Sequence, residues 1–344
     1  MSTRRHHQPA LTIVIPTVNR AGVVGRAIES ALAQTSDEIE IVVSDNGSTD
    51  DTPAVLSKYQ DPRLRKIRHE RTVSAEAHGN FLLEEARGEF FLGLSDDDYI
   101  EPEFAARVLD LYRRRQLSFV YTGCMVHYAR VSVPAVVGPE VESGTDYLAA
   151  FFDGKREVCW CACVTRVADL KAIGPIPEGT ICGDMFYWTK LAFDGDVGCV
   201  AAPLSNYTLM NTDNISSGAP VVAWAREMRM LADQVISGFE QAGVSRDETE
   251  ALREHCVEFV ARSTANQFIW NAIRGKSRLR LLQDLRECAG FVSGDRSVWS
   301  RVAGALGLPR AVLVSVILKA AAQRAVERKN HYTERAQAAA SPLS

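Results

Sequence analysis

From Leu11 onward the chain alternates short apolar runs with longer stretches whose apolar positions recur at helical spacing. That alternation implies strands that cross over through helices into a mainly parallel sheet, an α/β arrangement. Apolar runs predict strands over 12–15, 39–44, 65–68 and 90–94, with helices over 21–33, 53–59, 77–86 and 102–114. Thr52 is expected to cap the second helix with Pro53 at its first position, where a missing N–H costs nothing; Pro102 is expected to open the fourth in the same way. Between 117 and 220 the pattern is mixed, with strand-like YTGCMVHYARVSV and VCWCACVT and a helical stretch over 184–193. After Pro220 strand signals stop. Stretches rich in Ala, Leu, Arg and Glu run to about residue 336, broken at Gly243, Gly275, Gly294 and Pro309. The expected organisation is a flexible start over 1–10, an α/β domain over 11–220, an all-helical region over 221–336 and a disordered tail over 337–344.

Composition narrows the class of protein. With 46% hydrophobic and 24% charged residues the chain reads as globular. A formal charge of -4 and a pI near 6.0 provide no basic field to gather phosphates, so nucleic acid is not an expected partner. The apolar run over 11–15 is shorter than a signal-peptide core and precedes no small-residue cleavage site, which predicts a cytoplasmic location. Near the other end, the apolar stretch over 311–322 is interrupted by Lys319 and falls short of the ~20 residues of a spanning helix. Of eight cysteines, Cys159, Cys161 and Cys163 alternate as on one face of a strand, without the paired spacing of a zinc site. They read as reduced structural thiols.

The segment FFLGLSDDDYIEPEF carries the strongest chemical signal, an apolar strand running into Asp96, Asp97 and Asp98. Adjacent carboxylates repel; a hard divalent cation, Mn2+ or Mg2+, with a nucleotide diphosphate as co-ligand neutralises such a site. The alternative is an acidic loop favouring the N-terminus of the next helix. In EIEIVVSDNGSTDDT, Asp45 ends the second strand, where ligands of open α/β sheets bind. A carboxylate there can accept the imide N–H of a uracil ring. Asn46, Gly47, Ser48, Thr49 and Asp50 read as turn and cap residues. The first strand, in LTIVIPTVNRAG, ends without the glycine-rich fingerprint of dinucleotide enzymes, and no P-loop is present.

In their order, TIVIPTVNR, VVSDNGSTDDT and HGNFLLEEARGEFFLGLSDDD resemble the family 2 glycosyltransferases, inverting enzymes of the GT-A fold, over about the first two-thirds of the chain. The resemblance includes Asn80 eight residues before Gly88. It implies a nucleotide-diphospho-sugar transferase of hexosyl or N-acetylhexosaminyl type, with a UDP-linked sugar as the favoured donor. Pro16, Thr17, Asn19, Arg20 and Asn80 would belong to the nucleotide pocket, with Asp45 at the base. Asp97 would face the ribose, Asp98 the metal, and Asp96 would shape the loop. A further family feature, a carboxylate opening a helix in the second half, corresponds to Asp184 in PIPEGTICGDMFYWTKLAFDGDVGCV, the expected general base. From its own chemistry Asp184 reads equally as a helix N-cap. Two departures stand out: many relatives have Glu-Asp where this chain has Gly183-Asp184, and Tyr-Arg-x-His where it has Tyr207, Thr208, Leu209 and Met210. The late basic contact to the diphosphate is missing from that pattern, and Asn211, Asp213 and Asn214 read equally as residues lining the site in its place or as a polar loop.

The acceptor is unspecified: a glycan, a lipid-linked glycan or a small natural product all fit. Trp160, Tyr187 and Trp188 offer faces that stack on a sugar, or pack in the core. The helical end has three readings: packing on the α/β domain, self-association into a homo-oligomer, and peripheral contact with a membrane. Two rival functions remain at this level, a nucleotidyltransferase and a non-catalytic nucleotide-sugar-binding subunit.

Overall fold

The computed structural model describes residues 8–209 and 218–288, with single positions and short pieces between 292 and 328. Its centre is one ten-stranded sheet. Strands β1 (Leu11–Thr17), β2 (Ile39–Asp45) and β3 (Leu64–Arg68) run parallel, and β4 (Phe90–Gly93) joins β1 on its other side, also parallel. β5 is Tyr99–Ile100, β6 Phe119–Tyr128, β7 Val131–Pro134, β8 Val141–Glu142, β9 Cys163–Arg166 and β10 Val197–Leu209. The principal order is β3-β2-β1-β4-β9-β6-β10-β5, with β7 on β6 and β8 on β10. The sheet is mixed: β9 runs antiparallel to both β4 and β6, while β6 and β10 pair parallel. Strand order reverses at β1, which opens a crevice at the carboxyl ends of β1, β2 and β4.

β1 and β2 are buried along almost their whole length, as continuous apolar runs covered on both faces must be. One face is covered by α1 (Val24–Leu32) and α4 (Phe104–Arg114), through residues such as Ile28, Val108 and Leu109 packed on Ile13, Ile15 and Val43. The other is covered by α3 (Ala75–Glu85), α5 (Gly144–Phe152), α6 (Val167–Ile173) and α7 (Gly183–Leu191). α2 (Thr52–Ser57) follows β2. The helical region comprises α8 (Val221–Gln241), α9 (Arg246–Ile273) and α10 (Arg278–Cys288). Met228, Leu231, Val235 and Phe268 enter the same core as Phe119, Tyr147 and Trp188, so these helices pack on the sheet-side layer. The segment 311–322 lies mostly outside the described residues, as do the loop 210–217 and the tail 337–344.

Several local expectations change. Helix α2 begins at Thr52 after Asp51, and Thr52 does not cap it: its hydroxyl accepts the backbone N–H of Arg20, a loop-to-loop bond. Pro102 precedes α4, whose cap position is Glu103; the Pro102 carbonyl instead accepts the N–H of Thr35. α3 starts two residues earlier than its apolar pattern suggests because Ser74 caps it, accepting the Ala77 N–H. Cys159, Cys161 and Cys163 do not share a strand face: Trp160–Ala162 form a 3-10 turn and only Cys163 enters β9. The three thiols are nonetheless unbridged, with Cys161 and Cys163 buried. Gly88 is required by close approach, since a Cβ there would lie 2.8 Å from the Thr12 nitrogen.

Candidate active site

The loops after β1 and β2 are joined by bonds between groups some thirty residues apart in sequence. Asn19, in the left-handed region at φ 55°, accepts the Thr49 N–H through Oδ1 at 2.8 Å and donates its own N–H to Ser48 Oγ at 2.8 Å. Ala21 N–H donates to Asp50. Ser48, Thr49, Asp50 and Thr52, read from sequence as turn and cap residues, thus hold the β1 loop that carries Asn19 and Arg20. Such a cradle leaves the strand ends rigid.

Asp45 is 1% exposed at the end of β2. Its Oδ1 accepts the Ser48 N–H at 2.9 Å; its Oδ2 lies 3.4 Å from Arg68 Nε but makes no hydrogen bond. An acceptor left without a donor in a buried place is costly unless a ligand supplies one. Arg68 had no motif to announce it.

The three aspartates follow β4 and are all buried. Asp96 accepts the Thr17 hydroxyl at 2.7 Å, and its other oxygen lies 3.7 Å from Arg20 Nε. Burial pushes its carboxyl up to about 6, with Thr17 and Arg20 opposing the shift. Asp97 Oδ2 lies 3.8 Å from the Arg20 guanidinium, and its carbonyl accepts from Arg26. Arg26 also donates to Thr208 Oγ1 at 2.9 Å and sits over the Tyr99 ring. Asp98 is fully buried; Oδ1 accepts the Thr208 N–H at 2.8 Å, and Oδ2 has no conventional hydrogen-bond partner. Burial, then the neighbouring Asp97 charge, raises its carboxyl well above the ordinary range, with the Thr208 N–H and the Cys161 thiol opposing.

These positions test the expected metal. Among the described residues no group of three or more His, Cys, Asp or Glu side chains could hold an ion by itself. Mg2+ and Mn2+ bound with a nucleotide need no such cage, because one or two carboxylates, phosphate oxygens and water suffice. The unpartnered Asp98 Oδ2 beside Asp97 fits that donor set.

The second chemical element arrives on α7. Asp184 is the second residue of that helix, which Cys182 precedes as cap; Asp184 is not the N-cap. Its carboxyl is pushed up to about 6 by burial and further by the nearby Glu227, while the helix N–H groups of Met185 and Asp184 itself hold it down. Tyr187 and Trp188 are 3% exposed and belong to the core. Trp160 is different. Its indole lies flat against Gly93, where a Cβ would come within 2.2 Å of the ring, and it shares a small apolar cavity with Pro16, Ile176 and Tyr187. One wall therefore runs from Pro16 on β1 to Tyr187 on α7.

Asn80, expected in the nucleotide pocket, is committed elsewhere. Its Nδ2 donates to the Ile176 carbonyl at 3.0 Å and its Oδ1 accepts the Ile176 N–H at 2.8 Å, tying α3 to the loop that leads into α7. Asn80→Ala leaves two backbone groups unpaired, which costs about 1–3 kcal/mol. We expect a correspondingly lower midpoint in urea unfolding; an unchanged midpoint would show the clasp to be idle.

The mixed α/β sheet, with buried carboxylates at the end of β2 and after β4 and a helical layer on each face, is that of a GT-A fold. The model of the family "Glycosyl transferase family 2" matches residues 12–160, and over this segment the chain is similar to that family. The chain is similar to the succinoglycan biosynthesis protein ExoO of Rhizobium meliloti (strain 1021), 37% identical over 102 residues, or 30% of this chain and 29% of that protein. It thus spans under a third of the length of that relative. Similar solved structures include TarS 1-349 of S. aureus in complex with UDP-GlcNAc, with TM-score 0.57, 16% identity and coverage of 80% and 89% of the two chains. The mannosyltransferase PcManGT of Pyrobaculum calidifontis, in complex with GDP-Man and Mn2+, gives TM-score 0.54 and 15% identity over 90% and 87%. At these identities the likeness establishes the fold.

Proposed function

We propose that this chain is an inverting glycosyltransferase that moves a sugar from a UDP-linked donor to an acceptor hydroxyl. The observation that carries the reading is the pair of buried carboxylate oxygens without hydrogen bonds, Asp45 Oδ2 and Asp98 Oδ2, at the ends of strands flanking β1. One suits a base N–H and the other a cation, the two ends of a metal-bound nucleoside diphosphate. Similar folds solved with UDP-GlcNAc, and with GDP-Man and Mn2+, support the donor class.

In the reaction the acceptor oxygen attacks the anomeric carbon as the bond to the diphosphate breaks, and the diphosphate leaves with the electron pair. Asp184 takes the acceptor proton. Its raised carboxyl keeps it basic enough for that task at neutral pH while ionised there. Asp97 and Arg20 orient the ribose side of the donor, and Asp96, locked to Thr17, holds the loop in shape. A divalent cation at Asp98, when bound, supplies Lewis-acid stabilisation to the departing diphosphate. Acceptors carried on a glycan, a lipid or a small natural product are all compatible with this chemistry. Among the described residues no helix is long and apolar enough to cross a membrane.

The test is UDP release from UDP-glucose, UDP-galactose and their N-acetylamino counterparts with MnCl2 or MgCl2, with and without candidate acceptors. Acceptor-dependent UDP release is the expected result. Pyrophosphate release would point to nucleotidyl transfer, and saturable binding without turnover to a nucleotide-sugar-binding subunit; either outcome would overturn the reading.

A further inference from the structure

We infer that Glu227, on the first helix of the C-terminal region, is a positioning residue for Asp184: its buried carboxylate accepts the N–H groups that open α7 and so aims the base. The inference rests on the reading of Asp184 as base. Glu227 lies on α8 and is 9% exposed in the layer between α8 and α7. Oε2 accepts the Ile181 N–H at 2.8 Å, and Oε1 accepts the Cys182 N–H at 2.7 Å and lies 3.1 Å from the Ile181 nitrogen. Cys182 is the cap residue of α7 and has no side-chain cap bond of its own. A carboxylate from a helix 45 residues away thus does the work that a local Ser or Asp does elsewhere.

The consequence for Asp184 is geometric and electrostatic. Asp184 is two residues beyond the clamped Cys182, at the point where α7 first turns, so the clamp sets where its carboxyl is aimed. The loop before it has other ties, Glu76 to the Gly179 N–H and Asn80 to Ile176, whereas Glu227 binds the two residues that adjoin the helix. The titratable groups facing Asp184 are Cys163 on β9, Cys182 at the cap and Glu227 on α8. The two thiols are held neutral by burial, which leaves Glu227 as the charged neighbour. Its charge disfavours a second ionised carboxylate beside it and so raises the Asp184 carboxyl further.

Two variants separate aim from charge. Glu227→Ala removes both, and is expected to lower kcat for UDP release from the turned-over UDP-sugar, with water or an acceptor, by ~10²-fold while KM for the donor stays put. Glu227→Gln removes the charge and keeps one acceptor oxygen. In the place of Oε1 that oxygen reaches both the Cys182 and the Ile181 N–H, while the NH2 group takes the place of Oε2 and forfeits the shorter Ile181 bond. This variant is expected to move the acid limb of the kcat profile to lower pH than in the parent, where that limb is expected near the raised Asp184 carboxyl at about 6. An activity-independent readout is the carboxyl carbon resonance of Asp184, assigned by its disappearance in Asp184→Asn; its titration midpoint should fall in Glu227→Gln. Unchanged kcat, limb and resonance in a folded Glu227→Gln would overturn the inference, as would losses that merely follow the folded fraction in thermal melts. If Asp184→Asn itself releases UDP at the parental rate, the base assignment fails, whatever Glu227 does.

Discussion

Asp184→Asn is expected to bind UDP as the parent does and to lose sugar transfer, with kcat lower by ~10²- to 10⁴-fold, the usual contribution of a positioned general base. The substitution is close to isosteric. Its amide oxygen can still accept the helix N–H groups that restrain the Asp184 carboxyl, so α7 should keep its start. What disappears is the capacity to take a proton. The parent should show a rate that falls as pH drops below about 6, because a raised carboxyl is protonated, and useless as a base, on the acid side of that value. Asp184→Asn should lack this limb. Stopped-time UDP release across pH 5 to 8 measures both effects, at pH values chosen around the ordinary range of a raised carboxylate. Equal rates for mutant and parent would remove Asp184 from the mechanism.

The second large effect is expected at Asp98. In Asp98→Asn the Thr208 N–H keeps an acceptor, so β10 remains anchored beside the acidic loop, but the negative charge of the unpartnered oxygen is gone. Stabilisation by UDP should then no longer depend on Mn2+, and UDP release should fall by ~10²-fold or more, given that electrophilic stabilisation of a leaving group is worth several kcal/mol. The measurement is the rise in melting temperature with UDP, with and without MnCl2, which reads donor-site binding apart from turnover. A metal-dependent rise of parental size would show that Asp98 holds no cation. Loss of binding with collapse of the apo melting temperature would instead assign Asp98 a role in the fold.

The fold class was legible because periodicity is a local property. The runs at 12–15, 39–44 and 90–94 became the buried strands β1, β2 and β4, since a continuous short apolar run with a polar stop suits a sheet covered on both faces. Their order in the sheet was less readable. β9 enters between β4 and β6 from far along the chain and makes the sheet mixed, a pairing that its four residues do not announce. Helix starts were misplaced where the capping group came from elsewhere: Thr52 serves Arg20 and not its own helix.

The candidate site divides in the same way. Asp45 and Asp96 to Asp98 could be singled out because carboxylates directly after an apolar strand are unusual and strand ends are where ligands bind. Asn80 was singled out for its spacing, but its bonds to the Ile176 backbone 96 residues later could not be read, because spacing along α3 says nothing of that segment. Arg26, Arg68 and Glu227 carried no signal, and Thr208 stood out only as a departure from a family pattern. Each is an ordinary helix or strand residue until folding sets it against a carboxylate or an N–H group.

By itself, then, the sequence determined the kinds of element, the identity of the acidic positions and their place at strand ends, because these depend on neighbours within a few residues. Tertiary structure alone decided which oxygens remain unpaired, which are pushed up by burial, and what aims Asp184. Those properties arise from desolvation and from hydrogen bonds that span 79 residues from Thr17 to Asp96, 110 from Asp98 to Thr208 and 45 from Cys182 to Glu227, distances over which a chain has no local code.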